Sequence, residues 1–121
     1  MIRFYHEDGR PLPLRVRRCD TFRCRLRGLM FRRAIAPDEG LFFTETVGGR
    51  LATAIHMCCV PFPIGVLWLD EEDRVVDKVI ARPWRLYIPR AAACAYLEGP
   101  PSLVTWVEVG ERLRRETTED G

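Results

Sequence analysis

Residues 65–81 read GVLWLDEEDRVVDKVIA. Two runs rich in Val, Leu and Ile flank the polar segment EEDR, and strand formers bounded in this way predict a β-hairpin with an acidic turn. Further strands are predicted on both sides of it. Upstream, LFFTET (41–46) and LATAIHMCC (51–59) lie on either side of the turn signal VGGR. Downstream, AACAYLE (92–98) is closed by GPPS, SLVTWVEV (102–109) fits either a strand or a short helix, and RLRRE (112–116) fits a final strand. RPWRLYIPR (82–90) reads as a loop, because Pro83 and Pro89 each remove a ladder donor. At the N-terminus, Ile2–Tyr5 and residues 12–18 flank Asp8-Gly9, a hairpin-turn signal.

A different period occupies CDTFRCRLRGLMFRR (19–33). Phe22, Leu26, Leu29 and Met30 recur at i, i+4, i+7 and i+8, one face of a helix that Asp20 or Thr21 can cap. Gly28 weakens that helix. Seven or eight short strands with one short amphipathic helix predict a mainly β fold, an antiparallel jelly-roll or barrel-like sandwich. A single domain is expected over residues 1–116, followed by a polar tail at 117–121.

Composition sets further bounds. A chain of 121 residues can bury roughly two thirds of its unfolded surface without a staple. No apolar run reaches the ~20 residues of a membrane span, and the N-terminal stretch lacks the apolar core of a signal peptide, so a cytoplasmic protein with no membrane partner is expected. Five cysteines, an odd number without an export signal, argue for reduced thiols. There is no Asn or Gln, and 18 of the 19 basic residues are Arg. Loss of heat-labile amides is a thermophile trait, although a GC-rich genome gives the same Arg bias.

The net charge of +2 is unevenly spread: residues 1–33 hold ten Arg against three acids. Arg23, Arg25, Arg27 and Arg33 could track a phosphate backbone. Interleaved exposed aromatics for stacking are missing, so a solvated or ion-paired face is favoured over nucleic acid. In AIHMCCVPFPIG (54–65), strand geometry would put His56 and Cys58 on one face and Cys59 on the other. Cys58 and Cys59 would then point apart and could hardly bond. His56, Cys58 and Cys94 are suitable types for metal ligands, but no CxxC spacing supports a site, so no metal and no cofactor are expected and the cysteines read as core filler. Glu98, flanked by apolar residues, needs a cationic partner if buried, and Arg27 or Arg32 would serve. Trp84, between Arg82 and Arg85, reads equally as a binding edge or as an inward lid.

The ordered series RGLMFRR (27–33), EGLFF (39–43), IHMCCVPFPIGVLWLDEEDRVV (55–76), RPWR (82–85), AYLEGPP (95–101) and VGERL (109–113) resembles the domain-of-unknown-function family 192. The resemblance covers about residues 20–113 and implies a compact, mostly β fold with a short helix, and no known reaction. Three positions depart from the family pattern: Gly65 stands where Asp is common, Pro101 near an expected Gly, and Glu111 for a closing Asp. His56 belongs to the pattern and the cysteines do not.

These observations converge on a ligand- or partner-binding module, for a small molecule or a protein. Its candidate site is Arg32, His56, Arg82, Trp84 and Glu98. The alternatives are a small enzyme pairing His56 with a carboxylate, and nucleic-acid binding through residues 15–33. No catalytic residue can be assigned, because no complete constellation is present.

Overall fold

The computed structural model describes residues 1–19, 24, 28–45 and 48–118. Among the described residues nine strands follow in order: β1 (Ile2–Tyr5), β2 (Arg15–Arg18), β3 (Glu39–Thr44), β4 (Ile55–His56), β5 (Ile64–Leu69), β6 (Val75–Ala81), β7 (Leu86–Tyr87), β8 (Ala95–Gly99) and β9 (Arg114–Thr117). One short helix, α1 (Leu103–Trp106), lies between β8 and β9. Seven strands form one curled sheet, a half-barrel of order β6-β5-β8-β3-β2-β1-β9, while β4 and β7 form a separate ribbon. All pairs are antiparallel except β2 with β3.

The opening hairpin forms as predicted. β5 pairs with β6 from Ile64↔Ala81 to Leu69↔Val75. Its turn is held by Asp70, whose Oδ1 accepts the amides of Glu72 (2.9 Å) and Arg74 (3.0 Å). The N-terminal hairpin also forms, with Ile2 opposite Val16 and Gly9 at φ +94°. A left-handed φ of that kind suits glycine and little else.

Every residue of β5 is buried, because the sheet is covered on both faces. Leu67 and Leu69 enter one core with Phe4, Phe42, Leu97 and Leu103. Ile64, Val66 and Trp68 enter a second core with Leu41, Phe43, Ile55 and Met57. The period of two in β3, β5 and β8 sorts their side chains between these layers. The Trp68 indole N–H donates to the Thr53 carbonyl at 2.7 Å, which ties the segment before β4 to the second core.

Several expectations change. The predicted helix over 20–33 falls largely on 20–23 and 25–27, outside the described residues, and residues 28–31 form a turn. Most of the expected polar tail, 119–121, is outside them too. Residues 102–109 resolve as the short helix α1 and a following loop. The expected strand through residue 59 stops at His56, and the loop 82–90 contains β7, which pairs with β4 through Ile55↔Tyr87 and His56↔Leu86.

The cysteines differ most. Cys19 and Cys24 are joined in a disulfide, with Cα atoms 5.4 Å apart, inside the range a bridge requires. The reduced-thiol expectation is corrected for this pair, since the fold brings together two residues whose spacing alone carries no disulfide signal. Cys58 is exposed, and Cys59 and Cys94 are half-buried, so the core-filler reading is corrected too.

Candidate functional site

β8 is central, between β3 and β5, so its side chains have no lateral access to water. Ala95 and Leu97 face the first core, and the alternation sends Tyr96 and Glu98 to the opposite face. Tyr96 stacks on Phe43, with ring centroids 4.6 Å apart. Glu98 is 7% exposed and makes no hydrogen bond or ion pair with any described residue. Desolvation therefore raises its pKa from 4.5 to about 8, leaving the carboxyl mainly protonated at neutral pH.

Glu98 lines a cavity of about 200 Å³ between this face of the sheet and the elements that cover it. Leu29 and Met30 close one side, and Ile55, Met57 and Val60 another. The exposed His56 lies on the cavity rim, because the β4–β7 ribbon presents it there. Glu45, just beyond β3, also lines the cavity, and no sequence signal marked it. Two of the predicted residues, His56 and Glu98, thus border one concavity.

Arg32, Arg82 and Trp84 are not in that lining. Arg32 grips Glu39 through two contacts, Nη2–Oε1 at 2.8 Å and Nη1–Oε2, a bidentate pair. This pair holds the Glu39 carboxyl below its ordinary pKa. The expected Arg32–Glu98 ion pair is therefore replaced by Arg32–Glu39, because residue 39 opens β3 beside the 28–36 segment. Arg27 lies outside the described residues. Arg82 is exposed and its backbone N–H donates to the Tyr87 hydroxyl at 2.8 Å. Trp84 turns outward, 69% exposed at φ +66°, with its N–H donating to the Met57 carbonyl at 3.0 Å.

Of the arginines considered for nucleic acid, Arg23, Arg25 and Arg27 lie outside the described residues, and Arg33 is exposed. Nearby, Arg15 pairs with Asp38 at 2.9 Å and Arg17 approaches Glu39 at 3.8 Å. Arg18 lies over the Phe42 ring, 5.6 Å from its centroid. Much of the described basic stretch thus faces partners within the chain. Among the described residues no three His, Cys, Asp or Glu side chains converge on a metal position. Cys94 borders a separate depression with Asp70, Glu71 and Glu72. No helix among the described residues is long and apolar enough to cross a membrane.

The sequence model of DUF192, described as an uncharacterized ACR family, matches residues 4–114. A UPF0127 protein of Thermococcus kodakarensis is 40% identical over 97 residues, which are 80% of this chain and 60% of that protein. The chain thus spans less than two thirds of that relative. A UPF0127 protein of Pyrococcus furiosus is 35% identical over 107 residues, 87% of this chain and 90% of its own length. A crystal structure from Sinorhizobium meliloti 1021, described provisionally as a transcription regulator, matches with TM-score 0.76 and 25% identity, covering 94% of this chain and 91% of that one. A protein of unknown function from Novosphingobium aromaticivorans matches with TM-score 0.73 and 19% identity, covering 93% and 82%, and shares the fold.

Proposed function

Within the DUF192 family of uncharacterized proteins, to which this chain belongs, we propose that it binds a small, neutral, hydrogen-bonding molecule in the cavity between Glu98 and His56. The observation that carries this reading is Glu98: a carboxyl buried on a central strand, without a partner among the described residues, bordering a cavity that apolar side chains line together with Glu45, His56 and Tyr96. An unpartnered buried carboxyl is costly, and a ligand that completes its hydrogen bonds recovers that cost.

The chemistry narrows the ligand class. A protonated carboxyl offers one donor and an acceptor oxygen, and His56 adds a ring nitrogen of either kind. A hydroxyl or amide group suits both. A carboxylate or phosphate finds no cation among the described residues of the lining, because Arg32 is paired with Glu39 and Arg82 lies off the cavity wall. The volume of about 200 Å³ equals the share of roughly six or seven waters in liquid, below the usual range for drug-sized ligands. Polyols, single sugars and small amides fit these limits.

Amide-resolved NMR titration with a panel of small polyols, sugars, amides and carboxylates tests the proposal. The expected result is saturable shifts at Leu29, Phe43, His56 and Glu98 with neutral members, weakened by Glu98→Ala and by pH above about 8. Shifts confined to the Arg32–Glu39 region, or none with any member, would reject it. The same raised pKa supports a second reading, in which Glu98 is a general acid poised near working pH with His56 as its partner. Turnover of a bound ligand, lost in both Glu98→Gln and His56→Ala, would favour that reading over simple binding.

A further inference from the structure

The chain leaves its strand at His56 and turns through residues 57–60, closed by the Val60 N–H donating to the Met57 carbonyl at 3.3 Å. Cys58 and Cys59 occupy the two middle positions. Cys59 takes φ +61°, in the left-handed region where Gly or Asn is the usual occupant of such a turn. A cysteine held there costs roughly 1–3 kcal/mol. The turn is anchored from both sides, since the Phe31 N–H donates to the Cys59 carbonyl (2.8 Å) and the Trp84 N–H to the Met57 carbonyl (3.0 Å). The result is two adjacent free thiols with their Sγ atoms 3.6 Å apart, Cys58 exposed and Cys59 half-buried.

We infer that Cys58 and Cys59 form a dithiol receptor for a trivalent thiophilic group, of the class of monosubstituted arsenicals. Bonds from thiolate sulfur to one soft atom are about 2.3 Å long, as with zinc, so at an angle near 105° two of them span roughly 3.6 Å. The sulfurs already stand at that separation. A linear two-coordinate ion would need about 4.6 Å. A tetrahedral ion would need further ligands, and no third His, Cys, Asp or Glu joins the pair among the described residues. A monosubstituted arsenical supplies its own third substituent and asks for two sulfurs only.

With phenylarsine oxide the step is a condensation. Two S–H bonds break and two As–S bonds form. The arsenic-bound oxygen leaves with both protons as one water, and arsenic remains trivalent. Two bonds from one rigid turn give a chelate, and the second is intramolecular, typically 10²–10⁴-fold stronger in effect than an independent contact.

The test is intact-mass spectrometry of the protein treated with phenylarsine oxide and then challenged with excess glutathione. One phenylarsenic unit per chain is expected, with loss of one water, retained against glutathione and removed by a small dithiol. Cys58→Ser and Cys59→Ser should each reduce retention about 100-fold or more. Cys59→Gly, which suits the positive φ and preserves the turn, should lose it equally. Cys94→Ser and the double variant Cys19→Ser/Cys24→Ser should keep it. Absence of the adduct, undiminished retention in any Cys58 or Cys59 variant, or loss in the Cys94 variant overturns the assignment.

Discussion

Glu98 couples the candidate site to stability. Its carboxyl is protonated in both folded and unfolded chains below about pH 4.5, and in the folded chain alone between there and about 8. A raised pKa of this sign gives stability that is complete at low pH and is lost as pH rises through that window. At about 1.4 kcal/mol per pH unit the loss over that window is of the order of 5 kcal/mol. Denaturant unfolding of wild type and Glu98→Gln at about pH 5 and about pH 8.5 checks this. The variant is expected to match wild type at the lower pH and exceed its stability at the higher. A parallel pH dependence of the two proteins would remove Glu98 as the cause. That Glu98 sits among apolar residues was legible in AAACAYLEGPP (91–101). Its partner was not, because the choice between Glu39 and Glu98 for Arg32 depends on how the 28–36 segment meets the start of β3.

Between elements, β5 approaches the segment leading into α1 closely at Gly65. A Cβ built on Gly65 would lie 2.6 Å from the Pro100 carbonyl oxygen and 3.0 Å from the Leu103 Cβ. The obstacle is backbone, so α1 would have to move. Gly65→Ala is therefore expected to cost about 1–3 kcal/mol, the usual range for overpacking. The measurement is a denaturant midpoint with an unchanged unfolding slope, and a neutral result would mean that α1 yields freely. The same contact gives a physical reason for the departure at this position: no side chain fits between β5 and α1 in this chain. The hairpin β5–β6 was readable because both strands and their turn are contiguous. The ends of β4 were not, since residues 57–59 are as apolar as a strand and leave it only because the turn is pinned by Phe31 and Trp84, distant in sequence.

At the level of the molecule, the Cys19–Cys24 bridge joins β2 to the segment that follows it. A loop this short removes little chain entropy, so its reduction should lower stability by about 2 kcal/mol. Denaturant unfolding with and without reductant, in wild type and Cys24→Ser, measures it. Equal stability under both conditions would mean that the bridge is without energetic consequence. The relatives from Thermococcus and Pyrococcus belong to thermophilic archaea, and proteins of hyperthermophiles are known to carry disulfides. The missing Asn and Gln point the same way. Strand existence, the β class and the family were open to sequence reading because they depend on short-range periodicity and on ordered local blocks. Which side chains share a cavity, which arginine takes which acid, and that two neighbouring thiols face each other depend on a sheet order that interleaves β8 between β5 and β3 and lays a distant ribbon across it. Such adjacencies are set by packing two covered faces at once, and local pattern carries no record of them.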